Sequence, residues 1–272
     1  MTAGLLMLAG GAAAGLFGAL LGLGGGILIV PLLTIGFGRP LREAVAVSLV
    51  CVIVTSSAAA GTYLQGRIAN LRLGMLLELF TATGALIGGL VAFTINERVL
   101  AALFAILIVY VIATMLRRGR TEVDPTTIAA ETAPPADVSF VGGLGGPGYR
   151  IRHLGRGIIA SIGAGIVSAL LGIGGGLVKV PVMNIVMGVP LRTATATSNL
   201  MIGITATASA VIYILRGELD PYIVGPVALG VFAGATIGSR TAHRIDVRVL
   251  RWLFVIVLGY TAYQMIRRAL GL

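Results

Sequence analysis

Charge is scarce in this sequence. Asp, Glu, Lys and Arg make up 11% of its 272 residues, less than half the ~25% of an ordinary soluble domain. Acidic residues are the rarer sign, 10 against 20 basic ones, and the basic set is arginine except for Lys179. One cysteine, Cys51, excludes a disulfide framework, and nothing beside it suggests an activated thiolate. The two histidines, His153 and His243, lie in polar, basic segments. No metal cluster, catalytic triad or carboxylate pair at hydrolase spacing can be assembled. No catalytic residue, metal or cofactor is therefore expected, and the chain does not read as an enzyme.

What fills the space is apolar. Hydrophobic residues are 57% of the chain, glycine adds 40 residues, and mean hydropathy is +1.01. A soluble core cannot hide that much apolar surface, and a disordered chain would not carry it. The long continuous apolar runs also exclude a β-barrel, whose strands alternate. The expected class is an all-α, multi-pass protein of the cell (inner or plasma) membrane.

Charge-free stretches run 1–38, 44–66, 79–96, 99–116, 157–178, 193–215, 221–239 and 252–266. Each is near the ~20 residues that cross a bilayer core, except the first, which is too long for one span. The fifth continues past Lys179 to Pro190 and is over-long as well. The net charge of +10 would suggest nucleic acid in a soluble protein. Here the arginines lie between or beside the apolar runs, as membrane topology and lipid headgroups require, and no nucleic-acid partner is expected. Residues 117–156 hold six Arg, four acids, Pro134-Pro135 and a Gly-rich stretch, and read as a linker. The expected organisation is a first membrane repeat, 1–116, the polar linker, 117–156, and a second repeat, 157–272.

The repeat is explicit. Residue i matches residue i+150, with 19 identities in 38 positions between 13–50 and 163–200. Leu21–Gly26 (LGLGGG) returns as Leu171–Gly176 (LGIGGG), Val30-Pro31 as Val180-Pro181, and Pro40–Arg42 as Pro190–Arg192. Ser48 matches Ser198 and Thr55 matches Thr205. Each half thus holds one over-long, glycine-broken segment, re-entrant or spanning, and three ordinary spans. Paired broken segments at matching positions point to a transporter binding site. A re-entrant segment makes the repeats inverted and a spanning one makes them parallel; arginine placement favours inversion.

Two glycine clusters, Gly22, Gly24, Gly25 and Gly26, and Gly172, Gly174, Gly175 and Gly176, mark the breaks. Each glycine disfavours a helix interior by close to 1 kcal/mol relative to Ala. Unwound backbone at membrane depth survives where protein or a wet cavity satisfies it. Free amides at a half-helix start attract anions, so these clusters are read as substrate-facing.

The doubled motif, Gly15–Gly26 with Pro31 and Gly165–Gly176 with Pro181, together with Ala44…Ser48 and Ala194…Ser198, resembles the TauE/SafE family of sulfite-exporter-like anion permeases. The likeness covers both halves and leaves out the linker. It implies transport of small sulfur-containing anions such as sulfite, sulfoacetate or other organosulfonates, by alternating access. A passive anion channel, or a membrane-embedded enzyme or subunit passing substrate to a partner, stays open beside it.

Lys179, three residues past the second loop, is expected to be the anion's counter-charge, because a charge inside a membrane marks a functional site by default. Snorkelling to an interface is the alternative. Arg42 and Arg192, near the starts of their spans, suit bidentate oxyanion capture; interfacial anchoring is the plainer role, and the repeat symmetry adds to the functional case. Ser48 and Thr55, with Ser198, Asn199 and Thr205, are candidates for a polar lining. Glu78 is a candidate for proton coupling, with interfacial pairing to Arg72 as an equal alternative. The expected partners are a small anion and membrane lipid; a homo-oligomer stays open.

Overall fold

The computed structural model describes residues 2–21, 25–65, 69–118, 144–145, 149–241 and 247–271. Gly22, Gly24 and most of the 117–156 stretch lie outside them. The described chain is helical throughout: α1 (Thr2–Leu21), α2 (Gly26–Pro31), α3 (Leu41–Gln65), α4 (Leu71–Ala92), α5 (Glu97–Arg118), α6 (Leu154–Leu171), α7 (Gly176–Pro181), α8 (Leu191–Leu215), α9 (Pro221–Thr241) and α10 (Val247–Leu270). Among the described residues, seven helices are long and apolar enough to cross a membrane: α1, α3, α4, α5, α6, α8 and α9. α10 carries the same kind of apolar centre between arginine-bearing ends.

The outer surface is what a bilayer would solvate. Leu5, Met75, Leu79, Ile106, Ile159, Leu229 and Ile256 all project outward, a coat of apolar side chains that water would not tolerate on a monomer.

α2 and α7 are short for a reason written in the sequence. Pro31 and Pro181 lack an amide hydrogen, so the α-helical ladder cannot pass through them unchanged. The backbone widens into a π-helical turn at Leu32–Gly36 and again at Val182–Val186, a common response to an interrupted ladder. Each short helix doubles back along its predecessor. Gly25 lies beside Ala14 and Gly15 while Leu32 lies beside Gly10; in the second half, Gly175 lies beside Ala164 and Ser168 while Met187 lies beside Gly157. The broken segments are hairpins.

The two halves interleave. α1 packs on α9 and α4 on α6, each across glycines that admit the partner's backbone. A Cβ on Gly11 would stand 2.5 Å from the Val227 carbonyl oxygen, and one on Gly88 2.6 Å from that of Ile166. Such close small-residue seams are how helices associate where apolar surface alone gives no preference for a neighbour. Contacts climb together along each pair: Leu8, Ala12 and Leu16 meet Gly230, Gly234 and Gly238, and Gly84 and Gly88 meet Ile162 and Ile166. Both pairs therefore run in the same direction. So do α4 and α8, where Gly74 meets Thr197 and Gly89 meets Ile212. α3 runs against α4: its end joins the start of α4 through five residues, 66–70, and Arg42 near its start bonds Ile95 past the end of α4.

At one end of the bundle Asn70 caps α4, its Oδ1 accepting from the Leu73 amide at 3.1 Å. Its Nδ2 donates to the Leu144 carbonyl and to Tyr149 Oη, fastening the chain just before α6.

These directions place the 65–72 and 216–221 connections at opposite ends of the bundle. Single cysteines at Ala69 and Glu218, in a Cys51→Ser background, are expected to react with an impermeant maleimide from opposite faces of the membrane. Labelling of both from one face would contradict the arrangement.

Candidate functional site

The two glycine loops meet. Gly25, Gly172, Gly174 and Gly175 all sit in the left-handed region, with φ between 70° and 75°, where a side chain would be strained. Gly26 backs onto the other loop so closely that a Cβ there would stand 2.7 Å from the Gly172 carbonyl oxygen and 2.7 Å from Val52 Cγ2. Ser48 from α3 seals the junction: its Oγ donates to the Gly172 carbonyl at 2.7 Å and lies 3.0 Å from that of Gly26. One hydroxyl thus bridges backbone from both halves.

The repeat-matched Ser198 does something different. It is buried beside Gly176, and its hydroxyl has no hydrogen-bond partner. Ser168, at the end of α6 beside Gly175, is also fully buried with an unpartnered hydroxyl. Orphaned buried hydroxyls are uncommon in folded proteins. Two of them flank the start of α7, whose first amides have no partner within the helix.

Lys179 is 2% exposed, so it does not snorkel. Its ammonium reaches α4 and α8. There Nζ donates to Glu78 Oε2 at 2.8 Å and to Thr205 Oγ1 at 2.8 Å, and Thr205 Oγ1 donates to Glu78 Oε1 at 2.6 Å. Glu78 belongs to the first half, Lys179 and Thr205 to the second. The carboxylate pairs with Lys179 rather than with Arg72.

The other residues picked from the sequence divide. Thr55 is buried and bonds the Val52 carbonyl at 3.0 Å. Asn199 accepts from Ser56 Oγ through its main-chain carbonyl. Arg42 is not at the loops: Nη2 donates to the Ile95 carbonyl at 2.9 Å, and its guanidinium lies 5.6 Å from the Phe93 ring centre, tying the start of α3 to the α4–α5 connection. Arg192 occupies the first turn of α8; its side chain lies outside the described residues. Ser168 and Ser56 escaped sequence reading because their repeat mates are Gly18 and Ala206, so neither stood out as a matched pair. Ser168 had a weaker signal, four residues before Gly172 and hence on its helix face.

With this geometry in hand, comparison with known proteins decides the family. The profile described as "Sulfite exporter TauE/SafE" matches residues 7–265. The chain belongs to the TauE/SafE family. It is 24% identical over 263 residues to the probable membrane transporter protein YunE of Bacillus subtilis, covering 94% of each chain. It is 25% identical to YdhB of the same organism, over 85% of this chain and 87% of that one. A probable membrane transporter protein of Haemophilus influenzae is 23% identical over 91% and 90%. No solved structure matches the chain. The TauE/SafE member described here is a multi-pass cell-membrane protein of a transporter family.

The two matched serines separate scaffold from site. Ser48→Ala would orphan the Gly172 carbonyl, a loss of about 1–3 kcal/mol, and is expected to lower the unfolding temperature in detergent by several degrees. Ser198→Ala removes a hydroxyl that holds nothing and is expected to leave that temperature unchanged. Equal shifts for the two would contradict the division.

Proposed function

We propose that this chain is a secondary transporter of small sulfur-containing anions, sulfite, sulfoacetate or another organosulfonate, working by alternating access around one site at the joined glycine loops. The observation that carries the reading is the burial of the chain's one lysine between the halves, beside a loop flanked by two orphaned hydroxyls. An oxyanion brings several strong acceptors and a negative charge. Ser168 and Ser198 offer O–H donors, Gly175 and Gly176 let the backbone come close, and Lys179 supplies charge in a setting where electrostatics are little screened. The set fits a sulfite or sulfonate group and would repel a cation.

Helix directions support inverted repeats. α4 and α8 run together while α3 runs against α4, so the matched helices α3 and α8 are opposed. A two-fold in the membrane plane puts the loops near mid-depth, equally far from either side. The interleaving supports a choice of moving bodies. With α1 locked on α9 and α4 on α6, each moving unit combines helices of both halves, and access alternates as these composites rock at the loops. Transport, rather than catalysis, is the activity this arrangement serves.

The test is counterflow in proteoliposomes. Radiolabelled sulfite or sulfoacetate should enter saturably and be accelerated by unlabelled anion inside; unsaturable flux without such acceleration would indicate a channel. Lys179→Ala is expected to abolish flux and Lys179→Arg to retain part of it. Undiminished flux through the Ala variant at normal protein levels would remove Lys179 from the site.

A further inference from the structure

The Lys179 ammonium is not waiting empty, because Glu78 holds it. The carboxylate receives one donor on each oxygen, Lys179 Nζ on Oε2 and Thr205 Oγ1 on Oε1. Two oxygens on one centre, met by a cation and a hydroxyl, is also how a sulfinate, sulfonate or carboxylate group would be met. The pair is sealed in, with side-chain exposures of 1% for Lys179 and 6% for Glu78.

We infer that Glu78 is a tethered stand-in for the substrate, and that an anion takes its place on Lys179 and Thr205 only as Glu78 accepts a proton, so that each anion travels with one proton. This rests on the transport reading above and specifies its coupling. If the anion displaced an ionised Glu78, two negative charges would share one ammonium in a buried site, an arrangement that proteins avoid. A proton delivered to Glu78 removes that conflict. The carboxyl group becomes neutral, lets go of the ammonium, and leaves the anion as the sole counter-charge, with the charge in the site unchanged. The groups facing Glu78 do not offer another route: α7 presents Lys179 and α8 presents the neutral Thr205, and among the described residues no charged side chain of α6 pairs with it.

The repeat sets the stoichiometry. At the matching positions of the other copy stand Ile29 for Lys179, Ala228 for Glu78 and Thr55 for Thr205. Only the hydroxyl is duplicated. The fold has two loops but one ammonium–carboxylate exchange, hence one proton and one anion per cycle.

Glu78 also belongs to α4, whereas Lys179 and Thr205 belong to the second half's α7 and α8. While ionised, it pins α4 to the broken segment. Its release on anion binding removes that tie between α4 and the broken segment at the moment the site is filled.

The test uses sulfonates whose own charge is constant between about pH 6 and 8: methanesulfonate, isethionate and sulfoacetate. For the native protein, apparent affinity is expected to weaken about tenfold per pH unit where Glu78 is ionised in the empty site, as linkage of one proton to one anion requires. Glu78→Gln leaves Lys179 unopposed, and is expected to bind at all these pH values with no slope and to lose proton-driven accumulation. A native affinity independent of pH, or a Gln variant with the native slope, overturns the coupling while leaving the transporter reading intact. Absence of saturable binding and flux for sulfite and every sulfonate in the native protein overturns the transporter reading, and the coupling with it. If the Gln variant does not fold, the native protein still decides: adding sulfonate to a weakly buffered sample with an indicator dye should show close to one proton taken up per anion bound, and no uptake overturns the proposal.

Discussion

A polypeptide that breaks a helix inside hydrocarbon must find partners for the amides and carbonyls it frees, and this chain breaks two. Its solution is to bring the breaks together. Gly26 lies against the Gly172 carbonyl, and Ser48 places one hydroxyl between backbone oxygens of both loops. Neither loop would be stable at that depth alone. The duplication is therefore a condition of the fold as well as a record of its origin: each half supplies cover for the other's exposed backbone. The glycine seams follow from the same need, because α1 on α9 and α4 on α6 must close tightly enough to hold the two hairpins face to face.

Satisfaction at the junction is unequal. Ser48 is spent on scaffold, while its mate Ser198 and the nearby Ser168 keep unpartnered hydroxyls. Leaving a buried polar group unmade costs folding free energy. A protein carries that cost without benefit unless something fills the gap in use. Here two such groups, Ser168 and Ser198, lie beside the glycine backbone where α7 begins.

Much of this was legible beforehand. The apolar runs marked the long helices, the 150-residue register marked the halves, and the glycine clusters with Pro31 and Pro181 marked the helix breaks, because glycine and proline act locally and leave the same trace in any context. Lys179 stood out by rarity. What the sequence concealed was partnership. Glu78 and Lys179 are 101 residues apart, and nothing local says that α4 will deliver one to the other. The plausible local pairing, with Arg72 on the same helix, was the wrong one. Arg42 misled in the opposite way. Its repetition as Arg192 suggested substrate, yet its contacts with Ile95 and Phe93 are those of a structural anchor. Symmetry marks residues that the fold needs twice, and a residue can be needed twice for packing as readily as for chemistry.

That distinction runs through the whole molecule. The parts present in both halves, loops, prolines and seams, are those that the packing needs twice. The parts present once include Lys179 and Glu78, which carry the buried charge. A fully symmetric copy would bury two ammonium–carboxylate pairs close together at the junction and would multiply the desolvation that each pair already entails. Keeping the charge in a single copy limits that cost while the scaffold stays doubled. In such a protein the positions where the repeat fails, more than those where it holds, are where substrate chemistry is to be sought.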